Sequence, residues 1–277
     1  MRRHPLATAL LYAVLVLGAL AFMGPLVWTL VTALKPEAEI ASDPTRLLPK
    51  RPTLENFGGA WRALPFADFV FNTVFVTLVA TFGTVLSASL VAYGFARFQF
   101  RGRNLLFTVL LATMMLPGQV TMVPVFMVWR SLGAIDTFVP LTLPAFLGGG
   151  AFNVFLLRQF FLTIPRELDE AMLLDGASYF AIWRRLILPL STPALATVVI
   201  FSFIGNWDNF DGPLIYLNST ENYTVSIGLR LFQDTFGTNL GQLMAASLLQ
   251  LAPIFGLFLL TQKHFVKGIA ATGLGGK

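Results

Sequence analysis

Charged and apolar positions are sharply segregated along this chain. Six stretches contain no Asp, Glu, Lys or Arg: 4–34, 69–96, 104–129, 137–157, 186–207 and 235–262. About 20 helical residues cross the hydrocarbon of a bilayer, so each stretch is of membrane length. The pattern predicts an all-α integral membrane protein with six transmembrane helices. Met1-Arg2-Arg3 ahead of an apolar run, with Ala19-Leu20-Ala21 inside it, has the outline of a secretory leader. A charge-free run of 31 residues greatly exceeds the roughly 7–15-residue core of such leaders, which predicts an uncleaved first span.

Helix breakers cluster in the third, fourth and fifth runs. The third contains Pro117 and Pro124, the fourth Pro140, Pro144 and Gly148-Gly149-Gly150, and Pro189 and Pro193 bracket the entry to the fifth. Freed backbone groups at membrane depth must meet protein or water, so the breakers mark either a cavity or kinks that let helices pack closely. Polar side chains within and beside these runs, Gln119, Asn153, Asn206, Trp207 and Asn209, are candidates for a translocation path. For Asn206 to Asp211, an interfacial aromatic belt with a turn at Gly212-Pro213 is the competing reading. The segment from Lys35 to Asp68, with five prolines, reads as an irregular linker with a short helix near 56–61.

Six spans bring both ends of the chain to one side. Placing the N-terminus, 97–103, 158–185 and the tail in the cytoplasm puts twelve of nineteen Lys/Arg inside, Arg97, Arg101 and Arg103 among them as topology anchors. The long polar passage 163–189 then faces the cytoplasm. Thr163 can cap a helix there, Pro165 suits its first turn, and Glu167, Asp169 and Glu170 lie near the positive end of its dipole. Leu168, Ala171, Met172 and Asp175 share one face, and Gly176 ends the helix through a positive φ. So short a helix needs a partner to pack against.

That passage resembles a known motif. Glu170-Ala171-Met172, then Asp175-Gly176-Ala177, closed by Ile187-Leu188-Pro189, is similar to the EAA loop of ATP-binding-cassette (ABC) importer permeases, usually EAAxxDGAxxxxxFxxIxLP, with Met172 and Trp183 as departures. Phe155 to Leu168, Met115-Leu116-Pro117 and Asn206 to Phe210 resemble the carbohydrate-uptake, maltose-type branch. The resemblance implies a type I ABC importer permease fold. Residues 1–68 would add a first helix and external loop, 69–262 would form the permease domain, and 263–277 a cytoplasmic tail. It implies coupling to ATPases through Glu170, Ala171, Leu174, Asp175, Gly176, Ala177 and Pro189, with Phe265, Lys267 and Gly268 as a second contact or a frayed end. The implied partners are two ABC ATPase subunits carrying the ATP, a second homologous permease chain, an extracytoplasmic sugar-binding protein and the bilayer of the inner membrane.

Composition agrees. At 56% hydrophobic residues, 12% charged and mean hydropathy +0.72, the chain is too apolar for a soluble domain. The net charge of +5 therefore reports topology and not a nucleic-acid partner. With no cysteine, thiolate metal sites and disulfides are excluded. His4 and His264 lack carboxylate neighbours in sequence, so no metal is expected. No Walker A loop, HExxH pair or nucleophile constellation occurs, so neither catalysis nor a cofactor is expected of this chain. The rival class, an ion-coupled secondary carrier, would want a charge in mid-membrane, and all six runs lack one. Asn218-Ser219-Thr220 and Asn222-Tyr223-Thr224 match glycosylation sequons and receive no role.

Overall fold

The computed structural model describes residues 5–234 and 239–273, with side chains over 8–232 and 239–261. Every regular element among them is helical. The order begins α1 (Pro5–Ala33), α2 (Glu37–Ser42), α3 (Glu55–Ala63), α4 (Phe66–Arg97), α5 (Arg103–Ala112) and α6 (Gly118–Ser131). It continues with α7 (Val139–Thr142), α8 (Ala151–Thr163), α9 (Arg166–Leu174), α10 (Tyr179–Ile182) and α11 (Leu188–Leu190). It closes with α12 (Thr192–Trp207), α13 (Asp211–Tyr216), α14 (Val225–Asp234) and α15 (Leu240–Gly273).

Four of the six apolar runs become helices able to cross a bilayer, within Thr8–Ala33, Phe66–Arg97, Val139–Thr163 and Leu240–Thr261. The third and fifth runs become bent pairs instead. Arg103–Met115 and Gly118–Ser131 meet at 101°, Tyr179–Leu190 and Thr192–Trp207 at 83°. Counting each pair once recovers six. Proline chemistry accounts for the sharper bend: Leu116, ahead of Pro117, is pushed to φ −82° and ψ 118°, out of the helical region. The second bend sits at Ser191, which ends α11 immediately before the Thr192-Pro193 start of α12.

The fourth run is broken differently. Gly148, Gly149 and Gly150 all have positive φ, of 122°, 68° and 83°, between a 3-10 turn at Leu143–Phe146 and α8. A Cβ on Gly149 would lie 2.5 Å from the Thr84 carbonyl oxygen and 2.6 Å from Ala88 Cβ, so only glycine lets the backbone sit this close to α4. The α4 face that receives it carries Ala88, Ala92 and Ala96 at four-residue spacing, the small-residue stripe by which membrane helices approach one another. Ser87 donates to the Ala145 carbonyl at 2.7 Å, which satisfies a group that the break sets free.

Two compact units can be separated. The first comprises Met1–Ala67 and Gly228–Pro253. In it α1 is apolar all round, and no residue of its spanning window is buried. The segment after α1 is ordered more than its prolines suggest, holding α2 as well as α3. Asn56 donates to the carbonyls of Ala33 (2.8 Å) and Lys35 (2.7 Å), capping groups that the end of α1 leaves open. Lys35 is buried, donates its ammonium to the Arg46 carbonyl and lies 5.3 Å from the Trp28 ring centroid.

The second unit comprises Asp68–Ile227 and Ile254–Lys277. Its core packs the alanine stripe and Tyr93 of α4 against Val154, Leu157 and Phe161 of α8. Ile182, Trp183 and Ile187 join them from α10 and the π-helical turn Trp183–Ile187, with Ala194 and Val198 from α12.

Candidate functional site

The 163–189 segment builds the site in the second unit. Pro165, extended at φ −56° and ψ 138°, precedes α9, and Glu167 and Asp169 occupy the first turn. Thr163 does not cap α9: its hydroxyl turns back onto the Phe160 carbonyl at 2.7 Å and closes α8. At the far end Gly176 N donates to the Leu173 carbonyl (3.0 Å) and Ala177 N to the Met172 carbonyl (2.9 Å), with Gly176 at φ +79°. This pair of bonds is the Schellman termination, and Met172 and Ala177 complete it by packing on the core. Ser178 then caps α10, accepting from Ala181 N at 3.2 Å.

No residue of α9 is buried. Met172 turns inward, whereas Leu168, Glu170, Ala171 and Asp175 face out, and Leu174 is 90% exposed. The predicted face therefore splits, with one anchor inward and a protruding apolar and acidic surface left without cover in this chain. Pro189, in α11, is exposed, and its carbonyl accepts from Thr192 Oγ1 at 2.7 Å.

What holds α9 in place is a residue whose sequence position alone marks a topology anchor. The Arg97 side chain, 4% exposed, sets Nε 2.8 Å from Asp169 Oδ2, and its two Nη atoms each donate to the Ile164 carbonyl at 3.1 Å. Arg166 reaches back to the Ala96 carbonyl at 3.4 Å, and the Tyr93 hydroxyl donates to the Tyr179 carbonyl at 3.1 Å. Burial pushes the Asp169 carboxyl up from its ordinary value, against the pull of Arg97 and Arg166, while Glu170 adds to the rise. Beside the ion pair opens a cleft of about 330 Å³ lined by Tyr93, Phe98, Arg166, Glu170, Leu173 and Tyr179 among others.

The candidate path residues are separately placed. Gln119 is exposed in the first turn of α6, just past the Pro117 break, and Asn153 is half-buried and donates to the Gly149 carbonyl at 2.8 Å. Asn206 donates to the Ser202 carbonyl (2.7 Å), and Asn209 Oδ1 accepts from Gly212 N (3.1 Å). Trp207 is buried, its ring parallel to Phe203 with centroids 5.5 Å apart, so its face is turned to protein here. Phe265, Lys267 and Gly268 lie outside the residues whose side chains are described.

A second cluster was not anticipated from sequence. Asp136, at φ +61°, takes Asn218 N and Ser219 N on Oδ1 (2.9 Å each) and the Ser219 hydroxyl on Oδ2. Its carbonyl accepts from Asn222 Nδ2 at 2.9 Å, and its N–H donates to the Tyr216 carbonyl at 2.7 Å. The bonds from Ser219 and Asn218 hold the Asp136 carboxyl well below the usual carboxylate range. The two segments matching sequons thus form one half of a clasp.

Residues 83–270 match the family model described as "binding-protein-dependent transport system inner membrane component". The chain is 35% identical to a probable ABC transporter permease protein, YurM, of Bacillus subtilis (strain 168), over 95% of this chain and 87% of that one. It is 32% identical to the arabinooligosaccharides transport system permease protein AraQ of the same organism, over 93% and 92%. Its fold is similar to a chain in the crystal structure of a bacterial ABC transporter involved in the import of the acidic polysaccharide alginate. There the TM-score is 0.83 at 23% identity, over 96% of this chain and 99% of that one.

Proposed function

Because the chain belongs to the binding-protein-dependent transport system inner membrane components, we propose that it is a permease subunit of an ATP-driven carbohydrate importer. It supplies half of the pathway, and a second, homologous permease supplies the other half. Two ATPases bind the permease pair from the cytoplasm, one of them on α9 of this chain, both termini lie on that same side, and an external binding protein delivers the sugar. ATP is bound and hydrolysed on those partners, and this chain contributes no catalytic group. One named relative is an arabinooligosaccharide transport permease, so the inference extends to carbohydrates as a class.

One observation carries the reading: α9 is braced from behind and uncovered in front. Asp169 and Met172 hold it to the core, while Leu168, Glu170 and Leu174 project from it. An amphipathic helix of this length suits a groove on another protein. With its C-terminal end fixed by the Gly176 turn, α9 moves as a body when pushed. The displacement passes into α8 and, through the buried Trp183 and Ile187 of the π-helical turn, into α12. The bends at Pro117 and Ser191 are where spans would change direction between inward-open and outward-open arrangements.

The test is copurification and energetics together. An ABC ATPase should come down with the wild-type chain, and recovery should fall for Glu170→Lys, whose charge is expected to meet a basic residue of the ATPase. Uptake in reconstituted vesicles should survive an uncoupler and stop with vanadate. The opposite sensitivity would establish an ion-coupled carrier instead.

A further inference from the structure

We propose that α4 is driven together with the coupling helix α9, and that the largely enclosed Arg97–Asp169 pair is the joint between them. The proposal rests on α9 being the ATPase-contacting helix and adds a third driven span to the two that flank the 163–189 segment.

Four ties join the last part of α4 to the chain that carries α9. Gly149, just ahead of α8, seats its backbone against Thr84 and Ala88, where no side chain fits. The Tyr93 hydroxyl holds the Tyr179 carbonyl beyond the far end of α9. Arg97 pairs with Asp169 and grips the Ile164 carbonyl just ahead of α9. Arg166 of α9 returns the contact at the Ala96 carbonyl of α4. Arg97 thus reaches the main chain at the junction of α8 and α9, and Arg166 reaches that of α4.

The pair differs from a surface salt bridge. Both side chains are largely withdrawn from solvent, at 4% and 14% exposure, so neither can trade its partner for water without reopening the contact. A rigid joint follows, in which pushing α9 pushes the Arg97 end of α4. At the opposite end of α4, Asn72 donates to the carbonyls of Glu221 (2.7 Å) and Tyr223 (3.0 Å), and Thr73 accepts from Val225 N (2.9 Å). The displacement therefore reaches the 221–225 segment through one continuous helix. Arg97 and Asp169 are positioning residues in this scheme.

The test uses the complete complex in proteoliposomes and reads substrate carried per ATP hydrolysed. Asp169→Asn keeps size and an acceptor oxygen but removes the charge. Transport per ATP should fall about fivefold or more, with basal hydrolysis and ATPase recovery on pulldown unchanged. Asp169→Glu should recover most of the ratio. The chain has no cysteine, so an Arg97→Cys, Asp169→Cys variant offers a single thiol pair. Unbridged it should be uncoupled, and a short bifunctional methanethiosulfonate bridge should restore coupling. An unchanged ratio in Asp169→Asn, or a bridged pair that stays uncoupled, would overturn the proposal, because α9 would then move independently of α4. Loss of ATPase recovery with Asp169→Asn would also overturn it by placing the residue on the docking face. Should the double variant not assemble, Asp169→Asn decides alone. Failure of the functional assignment itself would show separately, as no ATPase recovered with the wild-type chain.

Discussion

Gly176 has open space around the position of a Cβ, so its requirement is conformational and not steric. At φ +79° a β-branched residue is strained by about 1–3 kcal/mol. Gly176→Val should relieve that strain by unwinding the Schellman turn, leaving ATP hydrolysis running but uptake reduced. Parallel assays of both in reconstituted complex check it, and full uptake would show that the turn is dispensable. Asp136 is a second residue whose backbone and side chain act together. Because its folded-state pKa is depressed, its contribution to stability is fully present above the unfolded-state value near 4. It is lost as pH falls through the lower folded-state value. Asparagine tolerates the same positive φ, so Asp136→Asn isolates the charge. At pH 7 it should destabilise the purified chain by about 1 kcal/mol, a figure discounted for the exposure of the site. The gap to wild type in melting temperature should narrow at about pH 3.

At the scale of elements, α8 and α4 depend on a contact with no room for adjustment. Gly149→Ala would set a methyl group 2.5 Å from a carbonyl oxygen that cannot rotate away and hold alanine at φ +68°. We expect a loss of about 1–3 kcal/mol, read as a lower yield of monodisperse protein and a lower melting temperature. The spans themselves are legible in the sequence because charge exclusion from hydrocarbon is a one-dimensional signal, and Leu116-Pro117 announces its own bend. The α9 helix and its Gly176 stop are equally local. Arg97–Asp169 is not legible, since a topology anchor and a largely enclosed ionic joint have the same local sequence, and only folding brings the partners together. The Asp136 clasp, across 82 to 86 residues, is hidden for the same reason. Trp207 shows the converse: Phe203, one helical turn earlier, is a local cue that the ring has an internal partner.

At the scale of the whole molecule, everything turns on the exposed tip of α9 lying on the cytoplasmic side against an ATPase. Leu174 is the apolar residue that this chain leaves most open there, and a single cysteine at that position would be the only thiol in the sequence. The decisive measurement is site-directed labelling and crosslinking of Leu174→Cys in the assembled complex. The account predicts protection from a membrane-impermeant maleimide added outside intact cells, reaction in inverted vesicles, and a crosslink to the ATPase that changes in yield with ATP. Labelling from outside, or a cytoplasmic thiol that never crosslinks to an ATPase, would contradict it.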